Sequence, residues 1–534
     1  MTLARPRQVS GGVPPQGHLE EFRTDPLALL RRVCAECGAV GAFRLGERDV
    51  ILLSDAKAAE LVFRADHCEL EHAAAYPYIE PIFGTDVVFD VLAEHFRDVP
   101  NRPTLHARCP DSSDRQPSGS DGSGPHSSGP DSSGPYPYGP NSSGPDSSDP
   151  DSPRPQPSDP DRSGLDGSDP HGFDPRESTS RAEQLCRHAA IVAREVDRMV
   201  AEWGERGEVD LLEFCSELIV YSLSACLIGT RFRDELDGRF ARLLRELERG
   251  SDAYCYVDPR ADIDNFRRRD DARWQLVKRV RHVMACRLAD PLAAADEPDL
   301  LDVAMAVRDE HDHRRFSPSE IAGAVISMMF SGHHAISTTA TWTIVELLRH
   351  PAIMQDLVAE LDGLGTDGTD GTDGTDTSLL ALPHNPLLEA ALADVLRLHP
   401  PLVLLMRVAR AESEVCGHRI TPGDLIATTS DVAQRIPRNL PDPTRFDPSR
   451  YPTPDPLTRW TRLSSTGPHS ADPAFTLVHL KTIVSTLLRD WEFELSQPST
   501  SYRADHSRIL VGLRQPCTVR YRRRTRAPGS PAGT

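Results

Sequence analysis

Four groups of residues in this chain have types and spacings that could do chemistry. Ser331-Gly332-His333-His334 sets two imidazoles beside small residues in an otherwise apolar run, where they could hold or pass a proton. The same stretch reads equally well as polar packing against a neighbouring turn. Asp394 and Arg397 stand three residues apart, the spacing of a pair on one helical face. Cys34 and Cys37 have the CxxC spacing of a metal or redox site, but no second pair completes a zinc site, so they read first as incidental helix cysteines. Gly-Thr-Asp triplets from Gly365 to Asp376 offer carboxylates to calcium without the spacing of a calcium loop, and they read as a solvated expansion.

The two imidazoles need a long carrier. Ser317 as N-cap, Pro318 at the first helical position and Glu320 at the third make a capping box. Apolar periodicity through Ile321, Val325, Met328, Met329, Ile336, Trp342, Ile344 and Leu347 then predicts a helix to His350, where Pro351 stops it. At 1.5 Å per residue this is a rod of about 50 Å, with the imidazoles at its middle. Asp394 and Arg397 ride on a second helix, predicted from Pro386 to His399 and closed by Pro400-Pro401. A third starts at Asp472-Pro473 and runs to about Arg489, and the cysteine pair lies in a helical pattern from Pro26 to Cys37. Strands are expected near Asp49 to Leu53 and at the C-terminus, which makes the chain an α-rich globule.

At 534 residues and 38% hydrophobic content the chain can bury a sizeable core. The stretch from about 107 to 180 cannot join it. It is a Pro/Ser/Gly/Asp tract with repeats such as Ser127-Ser128-Gly129-Pro130-Asp131, too poor in apolar surface to offset the entropy of ordering, and it reads as disordered or as a flexible tether. A net charge of −20 argues against nucleic acid or an anionic membrane surface as partner, since both need clustered positive charge. Lys57, Lys278 and Lys481 are the only lysines, a compositional bias to which no function is attached. The polar start from Met1 to Gly17, irregularly placed cysteines and the lack of an 18-residue apolar run predict a reduced, cytoplasmic protein without a membrane span.

Several strings carry a resemblance. Met328-Met329-Phe330-Ser331-Gly332-His333-His334 followed by Trp342 is similar to the long central helix of the cytochromes P450, in their sterol 14α-demethylase branch. His18-Leu19-Glu20-Glu21-Phe22, Tyr76-Pro77-Tyr78 with Ile82-Phe83-Gly84, and Ala225-Cys226-Leu227-Ile228-Gly229 agree with the same branch. So do Leu396-Arg397-Leu398-His399-Pro400-Pro401 and Phe446-Asp447-Pro448-Ser449-Arg450-Tyr451. The resemblance implies one haem-thiolate domain in the triangular, mainly helical P450 fold, acting as a monooxygenase on a sterol or terpenoid. It implies that Tyr76, Arg97, Arg407 and His469 meet the haem propionates, and that Tyr78, Phe83, His333 and Leu402 line the pocket. His333 and His334 would serve the catalytic stretch of the central helix, and Asp394, Arg397 and the later Arg450 would lock the core behind the haem.

The chain departs from that pattern at four places. Where the family runs Pro-Phe-Gly-x-Gly-x-His-x-Cys-x-Gly, this chain has Leu463-Ser464-Ser465-Thr466-Gly467-Pro468-His469-Ser470-Ala471-Asp472-Pro473, with Ser470 or Ala471 at the ligand position. No cysteine occurs between Cys416 and Cys517, so no thiolate stands there to bind a metal. Ala335 takes the place of the central-helix threonine, and Asp394 that of the glutamate in Glu-x-x-Arg. Pro100 and Pro103 fall inside an expected helix, where each costs about 3 kcal/mol.

The resulting expectation is a mainly α (α+β) chain with the cytochrome P450 fold and a small β-rich lobe, interrupted by a disordered insert. Residues 1–106 and 181–534 form the P450-like domain, and 107–180 the insert. The function expected is that of a sterol 14α-demethylase-type P450 without thiolate-haem oxygen activation. Haem, a small apolar sterol- or terpenoid-like molecule and, for an active enzyme, a redox partner are what the resemblance implies; without the cysteine, His469 is the candidate iron ligand should haem still bind. The alternatives are a non-catalytic scaffold, such as a helper subunit of a biosynthetic glycosyltransferase, and a small-molecule binder.

Overall fold

Three helices begin with one local code, a capping side chain followed by proline. Asp25 accepts a hydrogen bond from the amide of Ala28 and opens α1, Pro26–Cys37. Ser317 and Glu320 make the reciprocal capping box that opens the central helix Pro318–Arg349, and Asn385 accepts from Leu388 N at the start of Pro386–Leu398. In each case proline sits where the helix has no use for its amide, and the cap satisfies one of the orphan donors behind it.

The structure is a computed structural model that describes residues 3–55, 70–71, 75–83, 175–289, 298–309, 311–364, 385–429, 441–451 and 473–525. The chain falls into two units, Met1–Cys109 with Thr179–Thr534, and Pro110–Ser178. Only residues 175–178 of the second are described. The Gly-Thr-Asp triplets, Pro100, Pro103, Arg97 and the run 463–472 lie outside the described residues, as does the Pro/Ser/Gly/Asp tract up to 174.

After α1 come α2, Ile79–Phe83, and α3, Pro175–Val200. The start of α3 at Pro175 falls inside the tract expected to end at 180. Next are α4, Leu211–Leu227, α5, Gly238–Glu248, and α6, Asp264–Ala289. The central helix is α7, Pro318–Arg349, followed by α8, Pro386–Leu398, and α9, Pro473–Asp490. Helix α7 packs against α4, α6, α8 and α9, and Ile321, Val325, Met329, Ile336, Trp342, Ile344 and Leu347 are all buried.

Strands β1, Arg7–Gln8, β2, Val40–Leu45, β3, Arg48–Leu53, and β4, Leu70–Glu71, lie near the N-terminus. Later come β5, Arg206–Asp210, β6, Leu405–Ala409, β7, Leu425–Thr428, β8, Trp491–Leu495, and β9, Thr518–Arg523. One sheet has the order β1-β2-β3-β7-β6-β4 and a second β8-β9-β5. The β3–β7 pair is parallel, with Val50 opposite Leu425, and β7–β6 is antiparallel, with Ile426 opposite Arg407. Strand alternation divides the apolar residues between two cores. Phe43, Leu45, Val50 and Leu52 join the main one, while Val40, Ala42, Ile51 and Leu53 pack with Leu405 and Ile426 on the other face.

Candidate functional site

The site is built where α7 meets α4 and α5. Gly332 allows the close approach: a Cβ there would lie 3.2 Å from Leu223 of α4. One residue on, His333 is buried, with Nδ1 2.5 Å from Glu248 Oε1 and Nε2 2.8 Å from Ser216 Oγ and 3.0 Å from Ser216 O. Glu248 is the last residue of α5, whose Leu243, Leu244 and Leu247 are buried beside it. Burial alone would push this carboxyl up, but the imidazoles of His333 and His334 outweigh it and hold Glu248 well below the usual carboxylate range. A carboxylate at a helix C-terminus is also opposed by the helix dipole, which the imidazoles offset. The arrangement is a hydrogen-bonded line across three helices that holds a proton between Nδ1 and Oε1.

His334 faces elsewhere. Its Nε2 lies 3.0 Å from Val511 O and 3.2 Å from Pro401 O, with Nδ1 3.7 Å from Glu248 Oε2. Ala335 is half-buried. The nearby hydroxyls turn back on the helix, Ser337 Oγ donating to His333 O at 2.7 Å and Thr341 Oγ1 to Ser337 O at 2.7 Å. These bonds leave them turned away from the role that a threonine at 335 would have.

The residues read as pocket and haem-side contacts gather on α2, the start of β6 and α7. The Phe83 ring meets Phe330 of α7 edge-on, 5.2 Å between centroids. Tyr78 is buried next to Tyr76, the rings 5.8 Å apart. Tyr76 Oη accepts from Met406 N at 2.9 Å and donates to Leu404 O at 3.4 Å, so it pins the start of β6. Arg407 Nη1 donates to Met406 O at 2.8 Å; burial lowers its guanidinium, against the opposing effect of Tyr76. Leu402 is half-buried and packs against both apolar cores. Arg97 and His469 lie outside the described residues.

The ion pair on α8 locks the segment after β7. Arg397 Nε donates to Asp394 Oδ1 at 2.6 Å, and its other nitrogens donate to Pro443 O at 2.5 Å and Arg445 O at 2.9 Å. Asp394 Oδ2 accepts from Asp447 N at 2.7 Å, and Tyr451 Oη donates to Oδ1 at 3.3 Å. The shorter aspartate therefore reaches every partner. Arg450 does not join the pair; it donates to Pro441 O at 2.7 Å and Asp442 O at 2.9 Å, holding the turn before it.

The thiols are spread through the fold. Cys34 and Cys37 lie on α1, and burial raises Cys37. Burial pushes Cys215 up to about 12 and raises Cys226, Cys255 and Cys517 further, the reverse of what an iron-binding thiolate needs. Cys68 and Cys109 lie outside the described residues, and the run 452–472 before α9 contains no cysteine. These four buried thiols therefore fit no haem-thiolate centre, and the run that would carry the ligand lies outside the described residues.

Glu248, Ser216 and Phe330 were not singled out in the sequence as site residues. Glu248, an acidic residue at the last position of α5, reads in the sequence as a solvated helix end. Ser216 had no signal, since a serine within α4 looks like its neighbours Ser222 and Ser224.

Among the described residues no helix is long and apolar enough to cross a membrane. The cytochrome P450 family model matches residues 177–467. A sterol 14α-demethylase of Mycobacterium tuberculosis is 43% identical over 98% of this chain and 99% of its own length. One from Mycolicibacterium vanbaalenii is 41% identical over 97% and 98%. The solved structure of retinoic acid-bound cyanobacterial CYP120A1 has the same fold, with a TM-score of 0.65 at 16% identity, over 98% of this chain and 100% of that one. A family match over more than half the chain, and an identity this high from end to end, show that the protein belongs to the cytochrome P450 family, whose cofactor is haem, and is similar throughout to bacterial sterol 14α-demethylases.

Proposed function

We propose that this chain is a sterol 14α-demethylase-type P450 that has lost thiolate-haem oxygen activation and keeps an apolar chamber, binding a sterol or terpenoid in the cytoplasm. The observation that carries the proposal is the run before α9, where no cysteine stands between Cys416 and Cys517 and Ser470 or Ala471 takes the ligand position. A serine hydroxyl is not deprotonated near neutral pH and brings no charge to iron. Ala335 supports the same reading, because it removes the hydroxyl that would hold a water on the central helix. In this reading residues 1–106 and 181–534 make the P450 domain around the insert 107–180. Tyr78, Phe83 and Leu402 are the apolar contacts, Tyr76, Arg97, Arg407 and His469 are kept from the haem side, and Asp394, Arg397 and Arg450 hold the core.

Lanosterol, a sterol with the 14α-methyl group, is a suitable probe. Equilibrium dialysis of the purified full chain should give saturable binding at one site, and incubation with NADPH, reductase, ferredoxin and oxygen should give no demethylated product. Demethylated product would overturn the loss of activation. Absence of binding would overturn the chamber and favour the scaffold alternative.

A further inference from the structure

A cleft of about 320 Å³ opens between α5, α6 and the short helix Thr230–Asp234. Its volume lies at the lower end of the range for small-molecule sites. Phe232, Phe240 and Val280, all buried, form its floor, with Leu236 and Val283 half-buried at its sides. Trp274 of α6 stands at the rim, 60% exposed. Lys278, one turn further along α6, holds its ammonium 5.0 Å from the indole centroid.

The charges around this cleft do not cancel. Glu235 turns its carboxylate to the buried Arg287, with Oε2 3.0 Å from Nη2 and Oε1 3.3 Å from Nε. Arg279 pairs with Asp237 at 2.5 Å, and Asp271 accepts from Gln275 Nε2 at 2.7 Å. Arg239 donates Nη2 to the neutral Gln275 Oε1 at 2.7 Å. Among the described residues, neither the Arg239 guanidinium nor the Lys278 ammonium meets a carboxylate. Gln275 and Lys278 stand three residues apart on one face of α6, so the two cations border the same part of the cleft. A chain of net charge −20 therefore keeps two unmatched cations beside an exposed indole and an apolar floor. Water can solvate the cations, but it leaves the indole as exposed apolar surface. A neutral apolar occupant would cover the indole and leave the cations unused.

We infer that this cleft is a binding site for a small flat carboxylate, an aromatic or polycyclic acid whose rings lie against Trp274 and the apolar floor while its carboxylate bridges Arg239 and Lys278. It shares no residue with the apolar contacts named above and does not rest on the sterol-binding reading.

The test uses the full chain labelled with fluorotryptophan, and the probes are 2-naphthoate and its neutral amide, 2-naphthamide. Among the signals of the five tryptophans, that of Trp274 is identified by its absence in Trp274→Phe. Naphthoate should shift that signal and saturate with Kd at or below about 1 mM, the scale for a ligand of this size. Naphthamide should bind about tenfold more weakly. The double variant Arg239→Gln with Lys278→Gln should lose about the same factor for naphthoate, with its affinity for naphthamide within about twofold of the unmodified chain. Arg239→Lys with Lys278→Arg keeps both charges and should retain naphthoate binding. Both side chains are exposed, so these variants leave the fold intact. Equal affinity for acid and amide, or an unchanged naphthoate affinity in the doubly neutral variant, would overturn the carboxylate site. A Trp274 signal that stays in place at about 10 mM naphthoate would overturn it as well. Phosphatidylglycerol vesicles that move this signal where naphthoate does not would assign the face to an anionic membrane surface and equally overturn it.

Discussion

Glu248 at the end of α5 and His333 at the middle of α7 face each other with Oε1 and Nδ1 2.5 Å apart, although 85 residues separate them in the chain. This contact ties two helices by charge where both are otherwise tied by apolar packing. Glu248→Gln keeps the shape and removes the carboxylate charge that faces the two imidazoles. Stability in chemical denaturation should fall by about 3 kcal/mol, the scale for breaking a buried pair. The pH dependence has a definite sign. The folded carboxyl is held below its ordinary value of 4.5, so its contribution is complete above that pH and is lost as pH falls toward the folded value. The gap between the unmodified chain and Glu248→Gln should therefore shrink as pH falls below about 4.5.

Asp394 offers a test in two directions. Asp394→Asn leaves the buried Arg397 without a carboxylate and should cost about 3 kcal/mol in the same assay. Asp394→Glu restores the residue that the family pattern has there, yet should also destabilise, by about 1–2 kcal/mol. The aspartate already reaches Arg397 at 2.6 Å and Asp447 N at 2.7 Å, so an added methylene has no room. A gain in stability with glutamate would show that the shorter side chain is strained.

His479 of α9 is fully buried beside Phe475, and burial, with the His188 imidazole nearby, lowers its pKa from 6.5 to about 3. The unfolded chain takes up the proton first, so between these values acidification favours unfolding, at up to about 1.4 kcal/mol per pH unit for this one group. From neutral pH to about pH 4 the melting temperature of the unmodified chain should fall more steeply than that of His479→Leu, because the variant lacks this penalty. Parallel curves would mean that the imidazole is reached by water or by a donor.

The helix boundaries were legible because their signals are local. Asp25-Pro26, Ser317-Pro318 with Glu320, and Asn385-Pro386 each carry a cap and a proline within four residues, and each starts a helix where expected. The main-core residues of α7 followed from periodicity alone. What escaped depends on tertiary contact. Glu248 looks like a solvated helix end until α7 lies against it, and Arg239 reads as one arginine among several on α5. Arg450 was expected to close on Asp394 and Arg397, but the turn at Pro441 and Asp442 lies nearer and takes its donors. The start of α3 at Pro175 escaped because its first residues share the composition of the tract before them.

The reduced carbon monoxide difference spectrum reports whether a thiolate holds haem iron in this chain. Only a thiolate opposite the gas gives the long-wavelength Soret band from which the family takes its name. The full chain, expressed with haem supplied, should show no such band, while Ser470→Cys or Ala471→Cys, each combined with Ala335→Thr, should gain it if the chamber still admits haem. A long-wavelength band from the unmodified chain would mean that a thiolate does hold the iron.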